Sequence, residues 1–166
     1  MRSEFFRKNK YLVYLLALYI GAAVFRFVLA FFTSSFPTVG IDEYLYYSLA
    51  RSIATVSKLL FRGQSADYAY ILYPLVISPI YRFFEEGTNF YRLIQAWNII
   101  LMSLSVFPLF FLSKEVLSSE KDAFIFTAAS LLLPDFILGQ LIFTEAILYP
   151  LFFSLMYCVY MYISGT

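Results

Sequence analysis

From Leu93 to Ser113 the chain carries no charged side chain, and from Ala146 to Thr166 it again carries none. A run of about 20 mostly apolar residues, rising about 1.5 Å per residue as a helix, crosses a hydrocarbon core of about 30 Å. Two more runs meet that test: Tyr11 to Phe32, whose one charge is Arg26, and Ala123 to Thr144, whose one charge is Asp135. All four are continuous rather than alternating in polarity, which excludes a membrane barrel. Backbone in lipid must also satisfy its hydrogen bonds internally. The expected fold is therefore all-α: a polytopic helical membrane protein with four transmembrane helices (about 11–32, 93–113, 123–144 and 146–166) and no β-sheet. Composition agrees, at 61% hydrophobic and 14% charged, where a soluble domain has about 45–50% and about 25%. A net charge of +1 offers no basic face for nucleic acid. The absence of histidine excludes imidazole bases and histidine metal sites. The single cysteine, Cys158, has no intramolecular disulfide partner.

The first run follows Arg2, Arg7, Lys8 and Lys10, as a signal peptide's apolar core would. It is longer than such a core, about 7–15 residues, and no A-x-A-like site follows it, so it reads as an uncleaved anchor. The segment between the first two spans, 42–82, reads as juxtamembrane structure in the first outer loop. Leu45, Leu49, Ile53, Val56 and Leu60 fall on one face of a helix from Asp42 to about Leu60, amphipathic and suited to lying on a membrane surface. Tyr68 to Tyr81 is uncharged and carries Pro74 and Pro79; it is too short to span and reads as re-entrant or interfacial. The basic N-terminus, with Lys114 and Lys121 in the segment joining spans two and three, places both termini in the cytoplasm of a cell-membrane protein. The 1–166 stretch then forms one transmembrane domain, and its end beside the fourth span reads as a truncated part of a longer chain.

Four acids are candidates for chemistry. Asp42 and Glu43 supply a general base or metal ligands; the alternative is capping and dipole complementation at a helix start. Glu145 is the only charge between Asp135 and the C-terminus and is either functional or the interfacial start of the fourth span. Asp135 ranks below it, because Pro134 ends or kinks the helix there. Arg51, Lys58, Arg62 and Arg92 are candidates for binding phosphate beside lipid headgroups, or are solvated and snorkelling side chains.

The ordered pattern resembles the start of a GT-C-fold integral membrane glycosyltransferase, with protein O-mannosyltransferases and aminoarabinose transferases as relatives. The resemblance rests on Asp42-Glu43-Tyr44 opening a helix that reaches Leu49-Ala50-Arg51. It continues through Tyr73-Pro74-Leu75-Val76-Ile77-Ser78-Pro79 and Tyr91-Arg92-Leu93, and ends at Pro134 followed by Phe143-Thr144-Glu145. It implies inverting transfer of a sugar from a polyprenyl-phosphate donor to an acceptor hydroxyl on the outer face. Asp42 would be the base and Glu43 and Glu145 supporting acids, with Arg51, Lys58 and Arg92 as donor-phosphate ligands. In some relatives such acids hold a divalent metal. Family members have more spans than this chain. The competing reading is a non-catalytic four-span scaffold or lipid-carrier accessory protein. If the spans alternate direction, Asp42 and Glu145 share the outer face, and the transferase reading expects them within roughly 10–15 Å, bordering one cavity.

Overall fold

A computed structural model of the chain describes residues 10–32, 41–66, 71–87, 89–133 and 144–165. It is mostly helical. Among the described residues, three helical stretches are long and apolar enough to cross a membrane: Lys10–Phe31, Phe90–Leu117 and Glu145–Ser164. Helix α1 (Lys10–Phe31) buries only Leu15, Arg26 and Ala30, leaving Leu12, Ile20, Val24 and Val28 exposed.

The second stretch is two helices, α4 (Phe90–Ser103) and α5 (Val106–Leu117). Pro108 explains the break, since it has no N–H to give the Leu104 carbonyl four residues back. Phe107 donates to that carbonyl instead at 3.2 Å, and Leu104 and Ser105 likewise bond three residues back. The tighter 3₁₀ pattern keeps the backbone paired through the break. A similar repair occurs in α3 (Leu72–Phe83), which contains Pro79. The Leu75 carbonyl that Pro79 leaves without its N–H accepts the Ser78 hydroxyl at 2.9 Å.

Helix α2 (Ile41–Val56) starts with Asp42 and Glu43 in its first turn, as the sequence indicates. It ends before Leu60, and the expected absence of β-sheet needs correction. Ser57 takes a left-handed conformation at φ 54°, which stops the helix. Strands β1 (Leu60–Phe61) and β2 (Gln64–Ser65) then pair antiparallel, Phe61 opposite Gln64. Arg62 and Gly63 form the two-residue loop, both at positive φ (51° and 80°), the signature of a type I′ hairpin. Ser52 ties the hairpin to α2, its Oγ donating to the Lys58 carbonyl at 2.8 Å and accepting the Leu60 N–H at 3.2 Å.

Helix α6 (Glu120–Ser130) follows a left-handed Ser118 and a Ser119 cap that accepts the Asp122 N–H. Lys114 and Glu120 pair across the turn at 2.7 Å. At about 1.5 Å per residue, these eleven residues reach about 16 Å, short of a span. The rest of the expected third span, with Pro134, Asp135 and Phe143, lies outside the described residues. Helix α7 (Glu145–Ser164) ends at a left-handed Gly165.

Two cores hold these elements. One joins Ala50 of α2, Tyr73, Ile77 and Ile80 of α3, Phe90, Tyr91 and Ile94 of α4, and Ala146 at the start of α7. The other joins Leu15 of α1, Met102, Val106, Phe110 and Ala123 to Leu131. The hairpin and the α2–α3 pair thus pack at the end of the bundle where α4 and α7 begin.

Candidate functional site

The α2–α3–α4 junction carries a buried carboxylate. Glu43 is fully buried, while its neighbour Asp42 is exposed. Both sit in the first turn of α2, where the helix dipole favours negative charge, but only Glu43 turns into the core. Tyr91, in the first turn of α4, donates its hydroxyl to Glu43 Oε1 at 2.7 Å. A charge-assisted bond of this kind is worth roughly twice a neutral one.

Tyr73 of α3 lies beside this pair, its ring edge-on to Tyr46 with centroids 5.3 Å apart. Its hydroxyl accepts the Asn98 side-chain N–H at 2.7 Å. Burial is the main force raising the pKa of the Tyr73 hydroxyl; the Asn98 bond opposes it, and Tyr91, Glu43 and Glu145 add to it. Ala146, next to Glu145, is buried among Ala50, Tyr73, Tyr91 and Ile94. The acids from the starts of α2 and α7 meet at the same end of the bundle, with Glu145 exposed and Glu43 enclosed. Among the described residues, no three acidic or sulfur side chains group as metal ligands.

The basic candidates separate. Arg51 of α2 pairs through Nε with Glu86 Oε1 at 2.8 Å, and Tyr47 donates to Glu86 Oε2 at 3.0 Å. Burial, helped by Glu86, pushes the Tyr47 hydroxyl up to about 12. Arg51 and Arg62 line one cavity of about 300 Å³ between α2 and the hairpin, with Tyr44, Tyr47, Ser48 and Ser52. Lys58 is exposed and outside that lining. Arg92 lies elsewhere. It donates to the carbonyls of Ala30 and Phe31 at the end of α1, and to Gln95 Oε1 at 3.1 Å. It serves there as a C-terminal cap supplied by another helix.

Several polar side chains at work here escaped the sequence reading. Arg26 is buried in α1 and donates to Ser103 at 2.8 Å; a charge inside an apolar run was the available signal. Asn98 had the weaker signal of an amide within an uncharged run. Tyr73 and Tyr91 had none, being two of 15 tyrosines. No protein-family model matches the chain, and no curated protein or solved structure shows significant similarity to it.

Proposed function

We propose that the chain is an integral membrane glycosyltransferase of the GT-C type. It would transfer a sugar, with inversion, from a polyprenyl-phosphate donor to an acceptor hydroxyl on the outer membrane face. The supporting observation is that α2, which opens with the exposed Asp42 and the buried Glu43, and α7, which opens with the exposed Glu145, pack at the same end of the bundle through Ala50, Tyr73, Tyr91 and Ala146. Bringing carboxylates together at an apolar boundary has an electrostatic cost, and a reaction that needs an oriented base explains it. Asp42, the open member of the pair, takes the acceptor's proton as the hydroxyl oxygen attacks the anomeric carbon. The bond from that carbon to the phosphate oxygen breaks, and polyprenyl phosphate leaves with the electron pair. Glu43, fixed by Tyr91, holds the first turn of α2 in place, and Glu145 faces the same space from α7. In this reading the chain has four spans, the third formed by residues 123–144, with both termini cytoplasmic in the cell membrane.

The test is sugar release from a panel of polyprenyl-phosphate-linked hexoses by the full chain in reconstituted membranes. Asp42→Asn is expected to lower the rate about 10²- to 10⁴-fold, the usual contribution of a general base, with an unchanged melting temperature. Full activity in that variant sinks the assignment of Asp42. Release of no sugar by the parent chain sinks the transferase reading in favour of a scaffold.

A further inference from the structure

The hairpin carries a residue its own turn does not favour. A type I′ loop requires positive φ at both central positions, and Asn-Gly is the preferred pair. Here the first position is Arg62, at φ 51°, where a side chain other than Asn, Asp or Gly is strained. Departures from the locally preferred residue are expected at functional sites. The arginine is also held in place. Its guanidinium lies 5.3 Å from the Phe61 ring centroid and 6.0 Å from that of Tyr44, and those rings meet edge-on at 5.9 Å. Stacking on aromatic faces leaves a guanidinium's edge donors open. Among the described residues, no carboxylate pairs with Arg62.

The cavity beside it supplies the rest of a receptor. Across from Arg62 stands Arg51, anchored by Glu86 through Nε alone, so its terminal nitrogens stay available. Ser48 also lines the space, and among the described residues its hydroxyl makes no hydrogen bond. Ser52 is committed to the hairpin backbone, Thr55 to the Arg51 carbonyl at 2.9 Å, and Tyr47 to Glu86, while Tyr44 also lines the space. Two guanidinium groups against one carboxylate leave a net positive cavity of about 300 Å³, large enough for a tetrahedral oxyanion. Arg51 itself lies nine residues along α2 from Asp42, roughly 13 Å away as a helix.

We infer that Arg62 and Arg51, with Ser48, form a phosphate-binding site clasped between the hairpin and α2. Its ligand is a phosphate mono- or diester, presented either by an anionic lipid headgroup or by a soluble phosphate. The inference does not depend on the transferase reading, and its test measures binding.

The full chain in detergent, stripped of lipid, is mixed with equal amounts of phosphatidylglycerol and phosphatidylcholine, and retained lipid is counted by native mass spectrometry. A parallel equilibrium dialysis uses radiolabelled inorganic phosphate. The decisive variant is Arg62→Asn, which removes the cation while giving the turn its favoured Asn-Gly pair, so the hairpin should persist. A preference for phosphatidylglycerol of about fivefold, the effect of one Arg near an anionic surface, that disappears in Arg62→Asn supports the lipid source. Phosphate uptake that disappears in the same variant supports the soluble source. If neither ligand shows Arg62-dependent binding, the inference is overturned. Should Arg62→Asn melt well below the parent, Arg62→Lys and Arg62→Gln decide: binding kept by lysine and lost by glutamine supports the site, and equal binding by both refutes it.

Discussion

Tyr91→Phe isolates the hydrogen bond that fixes the buried acid. The substitution removes one oxygen and keeps a ring that is already 5% exposed, so packing against Ile94 and Ala146 is retained. What is lost is a bond of 2.7 Å to a carboxylate that is 0% exposed. Hydrogen bonds to charged groups contribute about 1.5–3 kcal/mol. For a chain of this size about 1 kcal/mol corresponds to roughly 2–4 °C, so the melting temperature should fall by roughly 3–12 °C. Circular dichroism melts in one detergent measure it. Glu43→Gln supplies the control: the amide oxygen still accepts from Tyr91, and the bond becomes a neutral one worth about 0.5–1.5 kcal/mol. Tyr91→Phe should therefore cost less in the Glu43→Gln background, giving a coupling of about 1 kcal/mol in the double-mutant cycle. A loss below 1 °C, or an equal loss in both backgrounds, would refute the claim that Tyr91 holds Glu43 as an ion.

Arg92→Ala should lower stability by about 1–2 kcal/mol without any ligand, because the Ala30 and Phe31 carbonyls lose a cationic cap; an unchanged melt would show that α1 does not need it. Raising the pH should destabilise the fold through Tyr47. Burial holds its folded pKa at about 12, above the ordinary tyrosine value of 10.0, so its contribution is complete below pH 10 and is lost as pH rises toward 12. The melting temperature of Tyr47→Phe should accordingly fall less steeply than the parent's over that window, and parallel curves would contradict this. For orientation, in a Cys158→Ser background an impermeant maleimide added outside should label Ser65→Cys in the hairpin and spare Ser118→Cys between α5 and α6; the reverse pattern inverts the topology.

The parts of the fold written in the sequence are those in which one physical quantity dominates. Long uncharged runs give α1, the α4–α5 pair and α7 to within a few residues, because apolar length alone decides them. The start of α2 was equally legible from its two acids. Its end was not: Leu60 continues the apolar helical spacing, yet it belongs to β1. Periodicity could not register the conformation of Ser57, and the signal that competed with it was one Gly beside an arginine, a weak form of the Asn-Gly hairpin mark. In the site, the sequence could name Asp42 and Glu43 as a pair but could not say which turns inward, since adjacent helical residues differ by about 100° in direction. That choice rests on where α3 and α4 pack, which local pattern does not encode. The partners of Arg92 were illegible for a related reason: they are backbone carbonyls of another helix, and every sequence has those.

The distribution of polarity says which solvent suits this arrangement. Buried among the helices are Arg26, Gln95, Asn98, Ser103, Ser105 and Thr127, while Ile20, Val24, Val28, Leu151, Leu155 and Val159 face outward. In water this would leave large apolar faces exposed on α1 and α7, far beyond what a monomer presents. In lipid the same outward faces cost nothing, and the polar groups inside serve as contacts between helices. The arrangement also bears on the acids. Glu43 and Glu145 each open a helix rather than interrupt one, in the first turns of α2 and α7. Neither carboxylate therefore has to sit inside a long apolar run, and both lie at the end of the bundle where α4 and α7 start, Glu43 held by Tyr91 and Glu145 exposed.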